Sequence, residues 1–181
     1  MDASSDSGAP QRRRLILLRH AKSAWPPDVD DHDRPLAERG RKAAPLIGAY
    51  IAHEMLLPDL VLVSTARRAQ ETWRLVAKSL SAPPPRRDVP ELYAASAARM
   101  ADIIANADPA IRTILLVGHN PGLEDFAQGL VGMGNSDARR RMSEKFSTGG
   151  LAVIAFEADS WKDISRGHGM LERFVTPRML A

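Results

Sequence analysis

The sequence contains no cysteine, which excludes a disulfide framework, a thiolate nucleophile and a cysteine-ligated zinc site. It also lacks long hydrophobic runs: the longest reach four to six residues, far short of the roughly 20 that a membrane-spanning helix requires. No membrane association is expected. The opening "MDASSDSGAPQRRR" has no hydrophobic stretch of the secretory kind, and Asp2 and Asp6 weigh against a mitochondrial transit peptide, which avoids acids. The expected organisation is a disordered tail over residues 1–13, one domain over 14–181, and a cytoplasmic location. A block of like charge is missing as well. The 25 Lys and Arg are interspersed with 22 Asp and Glu, leaving a net charge of +3. Trp25, Trp73 and Trp161 are not interleaved with basic residues either, so nucleic acid is not an expected partner. "QRRR" at 11–14 reads as a solvated tail junction, and the mild positive balance suits an anionic substrate.

What the chain does have is enough apolar content for one well-cored domain, 44% hydrophobic over 181 residues. Short aliphatic runs at Leu15–Leu18, Leu60–Val63, Ile114–Val117 and Leu151–Phe156 read as buried strands. Helical periodicity fills the intervals. From Glu38 to about His53 the apolar positions Ala43, Leu46, Ile47, Tyr50 and Ile51 share one face, and Pro58 follows the end. A second helix is predicted from about Ala66, with Trp73, Val76 and Leu80 on its apolar face, stopped by "APPPRR" at 82–87, which reads as a loop. A third is predicted over about Ala97 to Ala107, and a fourth after Pro121. No internal repeat is present. Strands alternating with helices imply a three-layer α/β/α fold with a mostly parallel central sheet.

Three of the strands end on polar signals. "LILL" runs into Arg19 and His20, "LVLV" into Ser64-Thr65-Ala66-Arg67-Arg68, and "ILLV" into Gly118-His119-Asn120-Pro121-Gly122. In open α/β sheets ligands bind beyond the carboxyl ends of strands, so three such ends can meet in one pocket. That pocket would hold two histidines and at least two arginines with no carboxylate required, which points to phosphate. Arginines neutralise phosphoryl oxygens, a neutral imidazole attacks phosphorus, and no metal or cofactor is called for.

On "RHAKSAW" at 19–25, "DHDRPLAERG" at 31–40, "STARRAQET" at 64–72, "GHNPG" at 118–122 and "STGGLAVIAFE" at 147–157, the chain resembles the histidine phosphatase superfamily. Within it, the likeness is to the SixA phosphohistidine phosphatases. The resemblance implies a phosphoglycerate mutase-like fold without a large cap insertion. It makes His20 the phosphorylated histidine, Arg19 and Arg68 phosphate clamps, and His119 the second pocket histidine. The family pattern selects Arg68 over Arg67, with Thr72 one helical turn later. Ala21 stands where the commonest family motif has glycine, which is the usual SixA-like variant.

Several other residues receive an expectation. Glu91, in "VPELYAAS", reads either as a leaving-group acid or as a surface glutamate. His32, His53 and His168 read as loop, helix-surface and turn residues. "DVDDHD" at 28–33 lacks the glycine and glutamate spacing of a calcium loop and reads as an acidic rim partnered by Arg34 and Arg39. The expected activity is a metal-independent phosphatase, monomeric, acting on a phosphorylated protein, with phosphohistidine foremost. A small phosphomonoester as substrate and an idle phosphate-binding module are the alternatives.

Overall fold

The computed structural model describes residues 11–181. Seven strands form one sheet in the order β3-β2-β4-β1-β6-β7-β5. They are β1 (Arg12–Arg19), β2 (Leu60–Ser64), β3 (Arg86–Val89), β4 (Thr113–Gly118), β5 (Val131–Gly134), β6 (Leu151–Glu157) and β7 (Gly169–Val175). The β1–β4, β2–β4, β2–β3 and β5–β7 pairs are parallel, whereas β6 runs antiparallel to both β1 and β7. The sheet is mostly parallel, as its aliphatic central strands predict. Every residue of β2 and Leu15–Leu18 of β1 are buried, because helices cover both faces.

Those helices are α1 (Glu38–His53), α2 (Arg67–Ala77), α3 (Ala97–Ala105), α4 (Gly122–Leu130), α5 (Ser136–Glu144) and α6 (Pro177–Leu180). Alternation along β1 divides the core. Leu15 and Leu17 join the cluster built by α3, α4 and α5 around Met100, Phe126 and Met142. Ile16 and Leu18 join the one built by α1 and α2 around Ile47, Ile51 and Trp73. The chain therefore folds as three layers, α/β/α. No helix among the described residues is long and apolar enough to cross a membrane.

The structure corrects the sequence reading at several places. Arg12 and Arg13, expected within the tail over 1–13, belong instead to β1, while residues 1–10 lie outside the described residues. Arg13 is buried, and its guanidinium donates to the carbonyls of Ala158 (2.9 Å), Pro109 (2.9 Å), Ile111 (2.7 Å) and Asp159. A charge so fully hydrogen-bonded can enter a core. Arg12 and Arg14 both pair with Glu172 on β7. The loop expected at 82–87 closes with two residues of an edge strand, because Arg86 and Arg87 start β3 beside Val61 and Leu62.

Candidate active site

The carboxyl ends of β1, β2 and β4 lie side by side, and each delivers its polar residues to the same place. His20 follows β1 directly. Its backbone N–H donates to Gly118 O at 3.1 Å, tying it to the end of β4. The next residue is held from α2: Ala21 N donates to Thr72 Oγ1 (2.9 Å), which donates in turn to Arg68 O (2.6 Å). Thr72 thus locks the turn after His20 to the helix that carries Arg68. Gly149 closes the other side, its N–H bonding the carbonyls of both Arg19 and His20 at 3.0 Å.

The rings of His20 and His119 are 5.2 Å apart between centroids, and both side chains are buried. His20 Nδ1 lies 2.8 Å from Ala21 O. A carbonyl only accepts, so Nδ1 carries the proton and Nε2 keeps its lone pair. Burial pushes the His20 pKa down to about 3, with His119, Arg68 and Arg19 adding to the effect against the opposing bond to Ala21. His119 falls to about 4, first by burial and then by Arg68. At neutral pH both rings are uncharged. His119 Nε2 contacts Ser64 Oγ at 2.7 Å, whereas its Nδ1 is buried without a partner.

The two arginines are presented differently. Arg19 donates from Nη1 to Phe146 O (2.9 Å), and its buried Nε has no partner. Arg68 is buried and bonds Asp31 twice, Nη1 to the backbone carbonyl (2.7 Å) and Nη2 to the carboxylate (3.1 Å). Arg67 faces away, exposed and paired with Glu71 at 2.9 Å. Orphaned nitrogens on Arg19 and His119 beside an unprotonated Nε2 make a site equipped to receive a tetrahedral oxyanion.

Sequence reasoning misses part of the surround. It marks Asp31 only as one member of an acidic rim. The Asp31 carboxylate bonds Arg34 (2.9 Å) and accepts from Tyr93 Oη (2.6 Å) as well as from Arg68. The Tyr93 bond and then the Arg34 bond hold its pKa far below the usual carboxylate range. Of the two expected rim partners, Arg34 is engaged, while Arg41, rather than Arg39, reaches back to the loop end at Leu36 O (2.7 Å). Tyr93 also stands edge-on to His119, with centroids 5.8 Å apart. His32 is more than a loop residue, since its Nε2 meets Thr65 Oγ1 at 2.9 Å and its ring packs edge-on to Tyr93. Polar residues where a strand ends, as at Ser64 and Thr65, are the available signal. Tyr93 offers none, because it sits in an irregular turn.

Glu91 is not brought to this cluster. It is exposed, and lines a separate surface groove with Arg87, Asp88, Arg99 and Asp102. His53 is exposed at the end of α1 beside Glu54, and His168 sits in a turn with Ser165. Neither takes part.

A model of the histidine phosphatase superfamily (branch 1) matches residues 15–89, the stretch that carries Arg19, His20, Asp31 and Arg68. An uncharacterized protein of Mycobacterium tuberculosis is 39% identical over 163 residues, covering 89% of this chain and all of its own length. Among solved structures, a candidate phosphohistidine phosphatase SixA from Agrobacterium tumefaciens superposes with a TM-score of 0.78 at 30% identity, covering 91% of this chain and 98% of that one. Its counterpart from Nakamurella multipartitia gives a TM-score of 0.82 at 27% identity, covering 94% and 99%. The sheet, its layers and the family match agree: the chain is a phosphatase and belongs to the histidine phosphatase superfamily, with a phosphoglycerate mutase-like fold.

Proposed function

We propose that this phosphatase hydrolyses a phosphorylated protein, phosphohistidine foremost, through a phosphohistidine formed on its own His20. The observation that carries the reading is the His20 ring itself. Its Nδ1–H is committed to Ala21 O, so the free Nε2 lone pair is the atom available to attack phosphorus, and burial beside two guanidinium groups keeps it unprotonated. In the first step the Nε2–P bond forms as the bond from phosphorus to the leaving group breaks. Arg19 and Arg68 offset charge on the phosphoryl oxygens, and His119 donates a hydrogen bond to them. In the second step water attacks phosphorus, the Nε2–P bond breaks with its electron pair returning to Nε2, and phosphate leaves with the protons that water supplies.

The leaving group selects phosphohistidine. An alkoxide is a strong base and needs a proton delivered as the bond breaks, whereas a protonated phosphohistidine ring departs as neutral imidazole. Glu91 is exposed and lines a groove with Arg87, Asp88, Arg99 and Asp102, which supports a leaving group that needs no committed acid. A protein substrate is favoured by what the chain builds between α2 and β4. That stretch forms edge strand β3 and helix α3, whose Met100 and Ile104 pack into the core, and none of this forms a lid of the kind that encloses small metabolites.

The reading includes a cytoplasmic monomer that works without a metal. A chain free of cysteine suits a reducing compartment, and the cationic charge that a metal would supply to phosphate comes from Arg19 and Arg68. The deciding experiment compares kcat/KM for a phosphohistidine protein, a phosphoserine peptide and sugar phosphates, each with and without EDTA. Phosphohistidine should rank first and be insensitive to chelation. A sugar phosphate ranking first would give the site to a small phosphomonoester, and activity lost to EDTA and restored by zinc or manganese would contradict metal independence.

A further inference from the structure

Beside the phosphoryl site lies a cavity of about 470 Å³ whose lining includes Arg19, Lys22, Arg39, Lys145 and Arg178, together with serine and threonine hydroxyls and no carboxylate. Among the described residues none of these five cations has a carboxylate within 4 Å. Unpaired like charges gathered in a concavity repel one another, and the cost is recovered when an anion enters.

The backbone fixes this arrangement. A Cβ on Gly40 would fall 2.1 Å from Lys22 O, so only glycine lets the first turn of α1 close on the turn after His20 and bring Arg39 beside Lys22. Gly149 has φ +73°, and a Cβ there would meet Pro177 Cγ at 2.7 Å. That close approach seats α6, with Arg178, against the loop that follows Lys145. Four elements therefore contribute charge to one pocket, and Arg19 belongs both to its wall and to the surroundings of His20.

We infer that this pocket recognises acidic side chains flanking the phosphorylated residue of the protein substrate. The inference rests on the reading that the substrate is a phosphoprotein. A single phosphate is gripped best by buried guanidinium groups of fixed orientation, as Arg68 is. Here Lys22, Arg39, Lys145 and Arg178 are exposed and long, so they supply charge without fixed geometry. Such a set accommodates several carboxylates at variable positions. Because Arg19 borders both places, carboxylates in the pocket and a phosphoryl group at His20 can belong to one short chain segment.

The test uses the full chain, a Lys145→Gln/Arg178→Gln double variant, p-nitrophenyl phosphate, and two phosphohistidine peptides differing only in three flanking Asp or three flanking Asn. At low salt the wild type should favour the Asp peptide by about tenfold in kcat/KM, carried by KM, since exposed charge pairs each contribute modestly. The double variant should reduce that preference to about twofold or less and leave p-nitrophenyl phosphate turnover unchanged. A wild type indifferent to the flanks, or a preference that survives the double substitution, overturns the inference. If the wild type hydrolyses p-nitrophenyl phosphate but neither peptide, the phosphoprotein reading has failed. The pocket is then judged by fluorescence anisotropy with the unphosphorylated Asp peptide. Equal affinity for both proteins overturns it, and weaker binding to the variant supports the pocket as an acidic-peptide site.

Discussion

Arg13 and Arg19 stand near opposite ends of β1, and each sends a guanidinium into the interior. Arg13 is saturated, with carbonyls of four residues accepting from it and the Trp161 ring 5.6 Å from its carbon centre. Arg19 makes one bond to a carbonyl and leaves Nε buried without a partner. The same contrast separates the histidines, for His168 is exposed and bonded in its turn whereas His119 has a buried, unpartnered Nδ1. Burial of a charge alone therefore does not mark a functional site. Arg141 on α5 also has a buried, unpartnered Nε, so one unmet atom does not mark a site either; what distinguishes this one is that unmet atoms on Arg19 and His119 gather around His20, held in place by neighbours such as Thr72 and Gly149.

The contrast is tested most visibly by removing one cation of the His20 cluster and, separately, the saturated Arg13. Arg68→Ala should lower kcat/KM by about a thousandfold, the scale expected when the transition state is deprived of a charge-assisted hydrogen bond. Arg13→Ala should instead destabilise the fold by about 3 kcal/mol, because the buried bond to Ala158 O and the part-buried bonds to Pro109, Ile111 and Asp159 are lost together, and leave kcat per folded molecule unchanged. Urea unfolding and steady-state kinetics on both variants check the pair. Removing the second ring, His119→Ala, should reduce kcat by about a hundredfold with little change in KM, as expected for one transition-state donor.

Acid sharpens the contrast in another way. His20 and His119 titrate at about 3 and about 4 in the folded chain, against an ordinary 6.5. Their folded pKa values are depressed, so between about pH 6.5 and pH 3 to 4 the unfolded chain binds protons that the folded chain refuses. Stability then falls as pH falls through that window. Urea midpoints at pH 7, 5.5 and 4.5 should drop for the wild type and drop less for His20→Gln. The smallest effects belong to groups outside the cluster. Glu91→Gln and Arg67→Ala should each change phosphohistidine turnover by less than about twofold, and a larger loss for Arg67 than for Arg68 would reverse the assignment of the clamp.

The sequence makes the middle of the molecule legible and leaves its margins obscure. β1, β2, β4 and β6 are aliphatic because helices cover both faces, so their runs stand out. β3 (RRDV) pairs only at the sheet edge and is largely exposed, and β5 (VGMG) carries little apolar content, so neither has a readable pattern. Helix α5 (SDARRRMSE) buries only Ala138 and Met142, too thin a stripe to detect by periodicity. Arg19, His20, Arg68 and His119 stand out for the opposite reason, as polar residues where apolar runs end, and the structure brings these four together. Asp31 and His32 lie in a single turn of 3-10 helix and Tyr93 just after another, segments too short for any period to mark a residue. Their bonds to Arg68, Thr65 and Asp31 are long-range interactions that only the fold reveals.

The central claim is that His20 carries the phosphoryl group during turnover. Quenching the enzyme during hydrolysis of a labelled substrate, then locating the label by mass spectrometry, tests it directly. The account predicts an acid-labile, alkali-stable phosphoramidate on His20 that is absent, together with activity, from His20→Ala. A label that is acid-stable, lies on another residue, or survives in His20→Ala would contradict it.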